Sequence, residues 1–246
     1  NVIDLIERVK KEKADLGIAF DGDGDRIGMV DENGHFYAAD YMLLLLSRDV
    51  LERHKGTKIV YDLKSSQILA EEIIKLGGVP IMAKTGHSFI EQTMKKEKAL
   101  LGGEVSGHMF FAENYYGFDD AMLAALKLIE IITKSGKKLS EHFHKLPKTF
   151  ITPEIKAPCS DDKKFAVVEK IKNEFERKHQ CITIDGIRID FGEGAWGIVR
   201  SSNTSPYLTL RFEARNEQKL REIQRIVFDA LKQYPEVDNS WYKKNP

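Results

Sequence analysis

Cysteine is scarce: the 246 residues contain only Cys159 and Cys181, with no metal-type spacing and no disulfide framework, as in a protein of a reducing compartment. Neither sign of charge is in excess, since 38 Lys plus Arg stand against 38 Asp plus Glu. The basic surplus expected of a nucleic-acid or anionic-membrane partner is therefore lacking. Long apolar runs are lacking too. Runs such as residues 42–46 are far shorter than a bilayer span, and no secretory segment precedes the first charged residues. The expectation is a cytoplasmic protein with no nucleic-acid and no membrane partner. Asn1 is not a methionine, and the chain opens in an amphipathic helix over 2–10, which reads as a piece of something longer.

What is present suffices for two or three domains, because a chain of this length buries roughly 70% of its unfolded surface without covalent help. The pattern predicts a strand over 16–20, an Asp/Gly turn, a hairpin-like strand over 27–30 with Asn33-Gly34 as return signal, and an apolar helix over 41–54. Residues 58–61 and 80–83 read as strands, each followed by a helix, over 66–76 and 88–96. A Gly-rich segment then leads to a helix over 119–133, apolar on nearly every face and so expected to be buried. This alternation argues for α/β with a mainly parallel sheet. From about residue 150 the pattern changes. A helix over 163–178 carries Phe165, Val168, Ile171 and Phe175 on one face. Strands over 181–184, 187–191, 196–199 and 207–213 follow, then a closing helix from Glu217. This part reads as a smaller α+β domain.

Three loops carry chemistry. Asp21-Gly22-Asp23-Gly24-Asp25-Arg26 follows an apolar strand, and its alternate carboxylates can converge on one hard cation. Mg²⁺ suits such a site when the substrate carries phosphate. Arg26 could neutralise the cluster or contact a moving phosphoryl group. A calcium loop of EF-hand type is a rival, since Glu32 stands twelfth from Asp21, but Arg26 occupies the place that needs Gly and the flanks read as strands. A phosphatase of the haloacid dehalogenase type, with Asp21 as nucleophile and Asp23 as acid/base, is another. The second loop, Gly103-Glu104-Val105-Ser106-Gly107-His108, offers a carboxylate, a hydroxyl and an imidazole to sugar hydroxyls, on one side if the segment is extended. The third, Arg200-Ser201-Ser202-Asn203-Thr204-Ser205-Pro206, suits a phosphate dianion, and Arg211 could add a second cation.

In this order the three loops resemble those of the α-D-phosphohexomutase family. The likeness runs from residue 1 to about 235 and takes in Lys64 within Tyr61-Asp62-Leu63-Lys64 and the segment Lys84-Thr85-Gly86-His87. The Gly-Glu-x-Ser-Gly-His form and the Asn203-Thr204 pair resemble the phosphomannomutase/phosphoglucomutase branch more than the phosphoglucosamine mutases. The resemblance implies the back part of domain II over 1–55, a complete three-layer α/β/α domain III with a mainly parallel mixed sheet over 56–148, and a TATA-box-binding-protein-like domain IV over 149–246. It implies that a phosphoserine passes its phosphoryl group to mannose or glucose 1- or 6-phosphate by way of a hexose bisphosphate. Asp21, Asp23 and Asp25 would bind Mg²⁺, and Arg26, Lys64 and His87 would surround the transferring group. Glu104, Ser106 and His108 would hold the sugar; Arg200, Ser202, Asn203 and Thr204 would hold the other phosphate. Lys64 and His87 remain alternative proton acceptors. The family's Ser-His-Asn-Pro-like loop does not occur in these residues. The expected partner is accordingly an N-terminal half of the same protein, without which this chain should not turn over. A non-catalytic sugar-phosphate binding module is the alternative of a different class.

Overall fold

A computed structural model of the chain describes residues 2–238 and Trp241, and they divide into two compact units that meet at Leu146 and Pro147. The first begins with helix α1 (Ile3–Glu12) and an antiparallel sheet in the order β1 (Leu16–Phe20), β2 (Ile27–Asp31), β3 (Phe36–Tyr37). Phe20 pairs with Ile27, so the acidic loop is the connection of a hairpin. Helix α2 (Ala39–Arg53) then leads to β4 (Lys58–Asp62), α3 (Gln67–Lys75), β5 (Val79–Ala83), α4 (His87–Glu97), β6 (Leu101–Gly103), β7 (Met109–Phe111) and α5 (Ala121–Ser135).

The second sheet has the order β5-β4-β6-β7, with β4 parallel to both neighbours and β7 antiparallel to β6. Its faces alternate as a pleat requires. Ile59 and Tyr61 join Leu101, Met109 and Phe111 in a large core with α2, α3 and α5, whereas Val60 and Phe110 turn to Ile90 and Met94 of α4. The result is a three-layer α/β/α arrangement on a mainly parallel mixed sheet.

Two expectations fail here for identifiable reasons. The Gly-rich segment, to which the sequence pattern assigns no element, holds two strands. A Cβ on Gly102 would lie 2.5 Å from the Met94 sulfur, and one on Gly103 3.1 Å from Leu43, so these glycines let helices close on both faces of β6. Helix α5 is not buried all round. Ala121, Ala124, Ala125 and Leu128 face the core, while Met122 and Leu126 are 65% and 66% exposed. The small alanines allow close helix approach, and a helix apolar on every side gives no periodicity to say which side that is.

The second unit is a sheet in the order β10-β11-β12-β13-β8, with β9 also on β13: β8 (Phe150–Ile151), β9 (Ile155–Pro158), β10 (Cys181–Ile182), β11 (Ile187–Asp190), β12 (Trp196–Ser201) and β13 (Tyr207–Ala214). Helices α6 (Lys164–Phe175) and α7 (Glu217–Leu231) cover the face formed by Ile187, Ile189, Val199, Leu208, Leu210 and Phe212. This is the smaller α+β domain expected, with β10 ending at Ile182 and α6 at Phe175, both short of their predicted limits. Phe165, read as a core residue, is 58% exposed, and Lys164 takes the inward position at 3%. At 3.6 residues per turn, Lys164, Val167, Val168, Ile171 and Phe175 share an arc of about 100°, and Phe165 falls roughly 60° outside it.

Candidate functional site

Three turns of the first unit leave the carboxyl ends of the parallel strands β4, β5 and β6: residues 63–66, 84–86 and 104–108. Open parallel sheets bind ligands at that end. Buried Asp62 closes the first turn by accepting from the Ser65 hydroxyl (2.7 Å) and reaches the third through the Val105 N–H (3.4 Å). Lys64 projects from this first turn and is half-buried. Gly86 caps α4, its N–H donates to Glu104 Oε1, and His87 opens the helix with its ring 6.0 Å from that of His108.

The 104–108 segment is a hairpin turn rather than an extended run: the Gly107 N–H donates to the Glu104 carbonyl and the Glu104 N–H to the His108 carbonyl, both at 3.0 Å. Glu104, Ser106 and His108 still converge, because the turn folds them onto one another. The Ser106 hydroxyl donates to Glu104 Oε2 at 3.1 Å, and His108 Nδ1 lies 2.9 Å from Ser106 Oγ and 3.1 Å from Glu104 Oε2. Burial opposes the charge on Glu104, yet the His108 ring, the Gly86 N–H and the Ser106 hydroxyl hold its carboxyl below the ordinary range. Burial opposes the charged ring as well, and Glu104 and Asp25 together raise His108.

The acidic turn is fastened to this knot. The Ile27 N–H donates to the Gly107 carbonyl at 3.2 Å, and His108 Nε2 lies 3.1 Å from Asp25 Oδ2. Gly107 sits at φ +109°, where a Cβ would stand 2.9 Å from the Ile27 carbonyl oxygen, so only glycine permits the approach. Asp21, Asp23 and Asp25 each offer an oxygen within 4.8 Å of the others. Arg26 folds back onto Asp21 through both its backbone N–H and its guanidinium; although desolvation opposes it, this holds Asp21 below the usual carboxylate range. Asp25 Oδ1 is buried and accepts no hydrogen bond among the described residues. Three hard oxygens, one of them making no hydrogen bond and only a 3.5 Å ion pair with Arg26 Nε, fit a divalent cation. The calcium-loop alternative does not survive: residues 27–31 form β2, and Glu32 is bound to Ser140 and Asn33 at its far end.

Asp119 escaped the sequence reading. Its Oδ2 lies 3.8 Å from His108 Nε2, forming a second cluster with Asp25. The adjacent acids Asp119-Asp120 were the available signal: Asp120 caps α5 by accepting from the Leu123 N–H, which leaves Asp119 outside the helix and free to face the site.

In the second unit, the 202–206 loop joins β12 to β13 and is closed by the Ser202 N–H on the Tyr207 carbonyl at 3.0 Å. Arg200 and Ser202 are buried, while Asn203 and Thr204 are exposed. Arg200 Nε donates to Asp185 Oδ2 at 2.9 Å, a partner that sequence reasoning missed because it lies in the turn between β10 and β11. Arg211 pairs in register with Ile198, and its buried Nε makes no hydrogen bond among the described residues.

Models of the phosphoglucomutase/phosphomannomutase family match three successive stretches: α/β/α domain II over residues 1–34, α/β/α domain III over 38–150 and the C-terminal domain over 154–230. The chain belongs to this family. It is similar to the phosphomannomutase/phosphoglucomutase of Pseudomonas aeruginosa, at 43% identity over 233 residues that make up 94% of this chain and 50% of that protein. The phosphoglucomutase of Neisseria gonorrhoeae is 44% identical over 227 residues, 91% of this chain and 49% of the relative. A crystal structure of a family protein from Burkholderia thailandensis matches with a TM-score of 0.89 at 36% identity, over 97% of this chain and 51% of that one. The chain thus spans about half the length of the curated relatives it matches. Membership of this family sets aside the haloacid dehalogenase-type phosphatase. Among the described residues, no helix is long and apolar enough to cross a membrane.

Proposed function

We propose that this chain carries the metal, sugar and distal-phosphate determinants of a phosphomannomutase/phosphoglucomutase. Such an enzyme moves a phosphoryl group between the 1 and 6 positions of a hexose phosphate by way of a hexose bisphosphate. The observation that carries this reading is the junction of the acidic and sugar turns, where Gly107 receives the Ile27 N–H and His108 sits between Asp25 and Glu104. It supports the reading because carboxylates able to hold a hard cation lie beside groups able to bind hydroxyls, as phosphoryl transfer on a sugar requires.

On this reading Asp21, Asp23 and Asp25 hold Mg²⁺, which when bound neutralises charge at phosphoryl oxygens. Arg26, Lys64 and His87 surround the transferring group. Glu104, Ser106 and His108 orient the ring, while Arg200, Ser202, Asn203 and Thr204 grip the phosphate that does not react. A substrate that must bind in two orientations needs a fixed hold on its far phosphate and an adaptable hold on its hydroxyls, and the two kinds of turn divide that work. Phosphoryl transfer asks mainly for positioning and charge neutralisation. The serine that carries the phosphoryl group would come from an N-terminal half of the same protein, and this chain alone would be inactive.

Calorimetric titration with glucose 6-phosphate and mannose 6-phosphate, in the presence of Mg²⁺, tests the proposal. Binding is expected, at least tenfold weaker after Arg200→Ala. No binding of either sugar phosphate, or equal affinity in the variant, would overturn it.

A further inference from the structure

Lys164 is 3% exposed at the head of α6, in the middle of a helix face otherwise made of Val167, Val168, Ile171 and Phe175. A buried ammonium is costly unless its donors are all used. Here they are. Nζ donates to the Ser202 carbonyl at 2.6 Å, to the Ser205 carbonyl at 3.1 Å and to Asp161 Oδ1 at 2.6 Å. Two of the three acceptors are thus main-chain oxygens of the anion loop, 38 and 41 residues away in sequence.

The direction of those carbonyls decides the direction of the loop's donors. In a trans peptide the C=O of one residue and the N–H of the next point opposite ways. Drawing the Ser202 carbonyl down to Lys164 therefore turns the Asn203 N–H away from the helix. The peptide after Ser205 ends on Pro206, which has no N–H, so the second anchored carbonyl leaves no donor stranded. The N–H groups of Asn203, Thr204 and Ser205 make no hydrogen bond among the described residues. Asp161, whose side chain is 67% exposed, offsets the ammonium only from the solvent side.

We propose that Lys164 is a positioning residue for phosphate: by holding the Ser202 and Ser205 carbonyls from beneath, it aims the Asn203 N–H, with the freed donors beside it, at a phosphate dianion. This rests on the reading of the loop given under Proposed function. It goes beyond that reading by assigning the loop's shape to a residue outside the loop that would not itself touch the ligand.

The test is a titration of the isotope-labelled chain with inorganic phosphate, followed by the amide signals of Asn203 and Thr204 and by the Lys164 ammonium nitrogen signal. In the native chain all three should move together. Lys164→Met should weaken phosphate at least tenfold and abolish the Asn203 response, with the α7 amides reporting an intact fold. Lys164→Arg, which keeps the cation and its donors, should restore part of the affinity. Native-like phosphate binding in Lys164→Met, with Arg200→Ala still weakening it, would overturn the role of Lys164 and leave the anion loop standing. No response of the native chain would overturn both. Should the Met variant fail to fold, a Lys164 nitrogen signal unmoved by phosphate in the native chain overturns the proposal, and one that moves supports it.

Discussion

The two units build their sites from opposite surpluses, of carboxylates in one and of hydrogen-bond donors in the other. In the first, Asp21, Asp23, Asp25, Glu104 and Asp119 crowd around His108 and Arg26, so acids outnumber cations and the surplus points to a cation. In the second, Arg200 is paired with Asp185 and Lys164 with Asp161, and the loop above them adds hydroxyls and N–H groups that make no hydrogen bond among the described residues, so the surplus is of donors and points to an anion. The support differs as well. Three separate turns of the first unit are tied by side chains and by one glycine contact. The single loop of the second spans adjacent strands and is propped from below. The first arrangement depends on long-range fits between turns, and the second on burying two cations with enough partners.

The strongest way to break that contrast is Gly107→Val. A side chain at φ +109°, facing the Ile27 backbone at 2.9 Å, must push the 104–108 turn off the acidic turn. We expect a loss of roughly 3 kcal/mol or more in the stability of the first unit, from strain and clash together. Denaturant unfolding followed by probes in each unit should show Trp196 and Trp241, both in the second unit, reporting a transition little changed. A cost below about 1 kcal/mol would mean that the two turns are independent.

A smaller effect sharpens the same contrast through charge. Three carboxylates this close repel unless a cation lies among them. Asp23→Asn should weaken Mg²⁺ at least tenfold by calorimetry, about 1.4 kcal/mol. Without metal it should leave the chain as stable or slightly more stable. Opposite signs with and without Mg²⁺ are the signature of a ligand cluster. An acidic turn with no ion to bind would show no Mg²⁺ dependence in either protein.

How much of this could be read from the sequence followed from where the information lies. The acidic turn was readable because charge and spacing sit within six consecutive residues between two strands. The α/β and α+β halves were readable because periodicity changes near residue 150. Strand β6 was not, because Gly102 and Gly103 answer to helices α4 and α2 rather than to any local preference. Lys164 and Phe165 were exchanged for a related reason. Hydrophobicity favours Phe inward, but the inward position is fixed by carbonyls that lie far along the chain. Asp185 and Asp119 were passed over because their partners, Arg200 and His108, are met only in space.

The smallest expected effect lies at the edge of the first unit, where a carboxylate is balanced rather than in surplus. Glu113 accepts from Arg53 Nε at 2.9 Å and from a second guanidinium nitrogen at 2.7 Å, with His54 Nε2 also 2.7 Å away. Led by the Arg53 hydrogen bonds, with burial opposing, these partners lower its carboxyl to about 2. A carboxylate held below its unfolded value adds stability that is fully present above the ordinary range near 4.5 and is lost as pH falls toward 2. Arg53 is 42% exposed, so solvent screening limits the contribution to about 1 kcal/mol or less. Glu113→Gln should therefore cost up to that amount at pH 7, and the difference from the native chain should shrink steadily between pH 4.5 and pH 2 and with added salt. Urea unfolding at three pH values measures it. A difference that stays constant down to pH 3 would mean that the bond ties α2 to the loop after β7 by geometry alone, and that charge balance in the first unit matters only where acids are in excess.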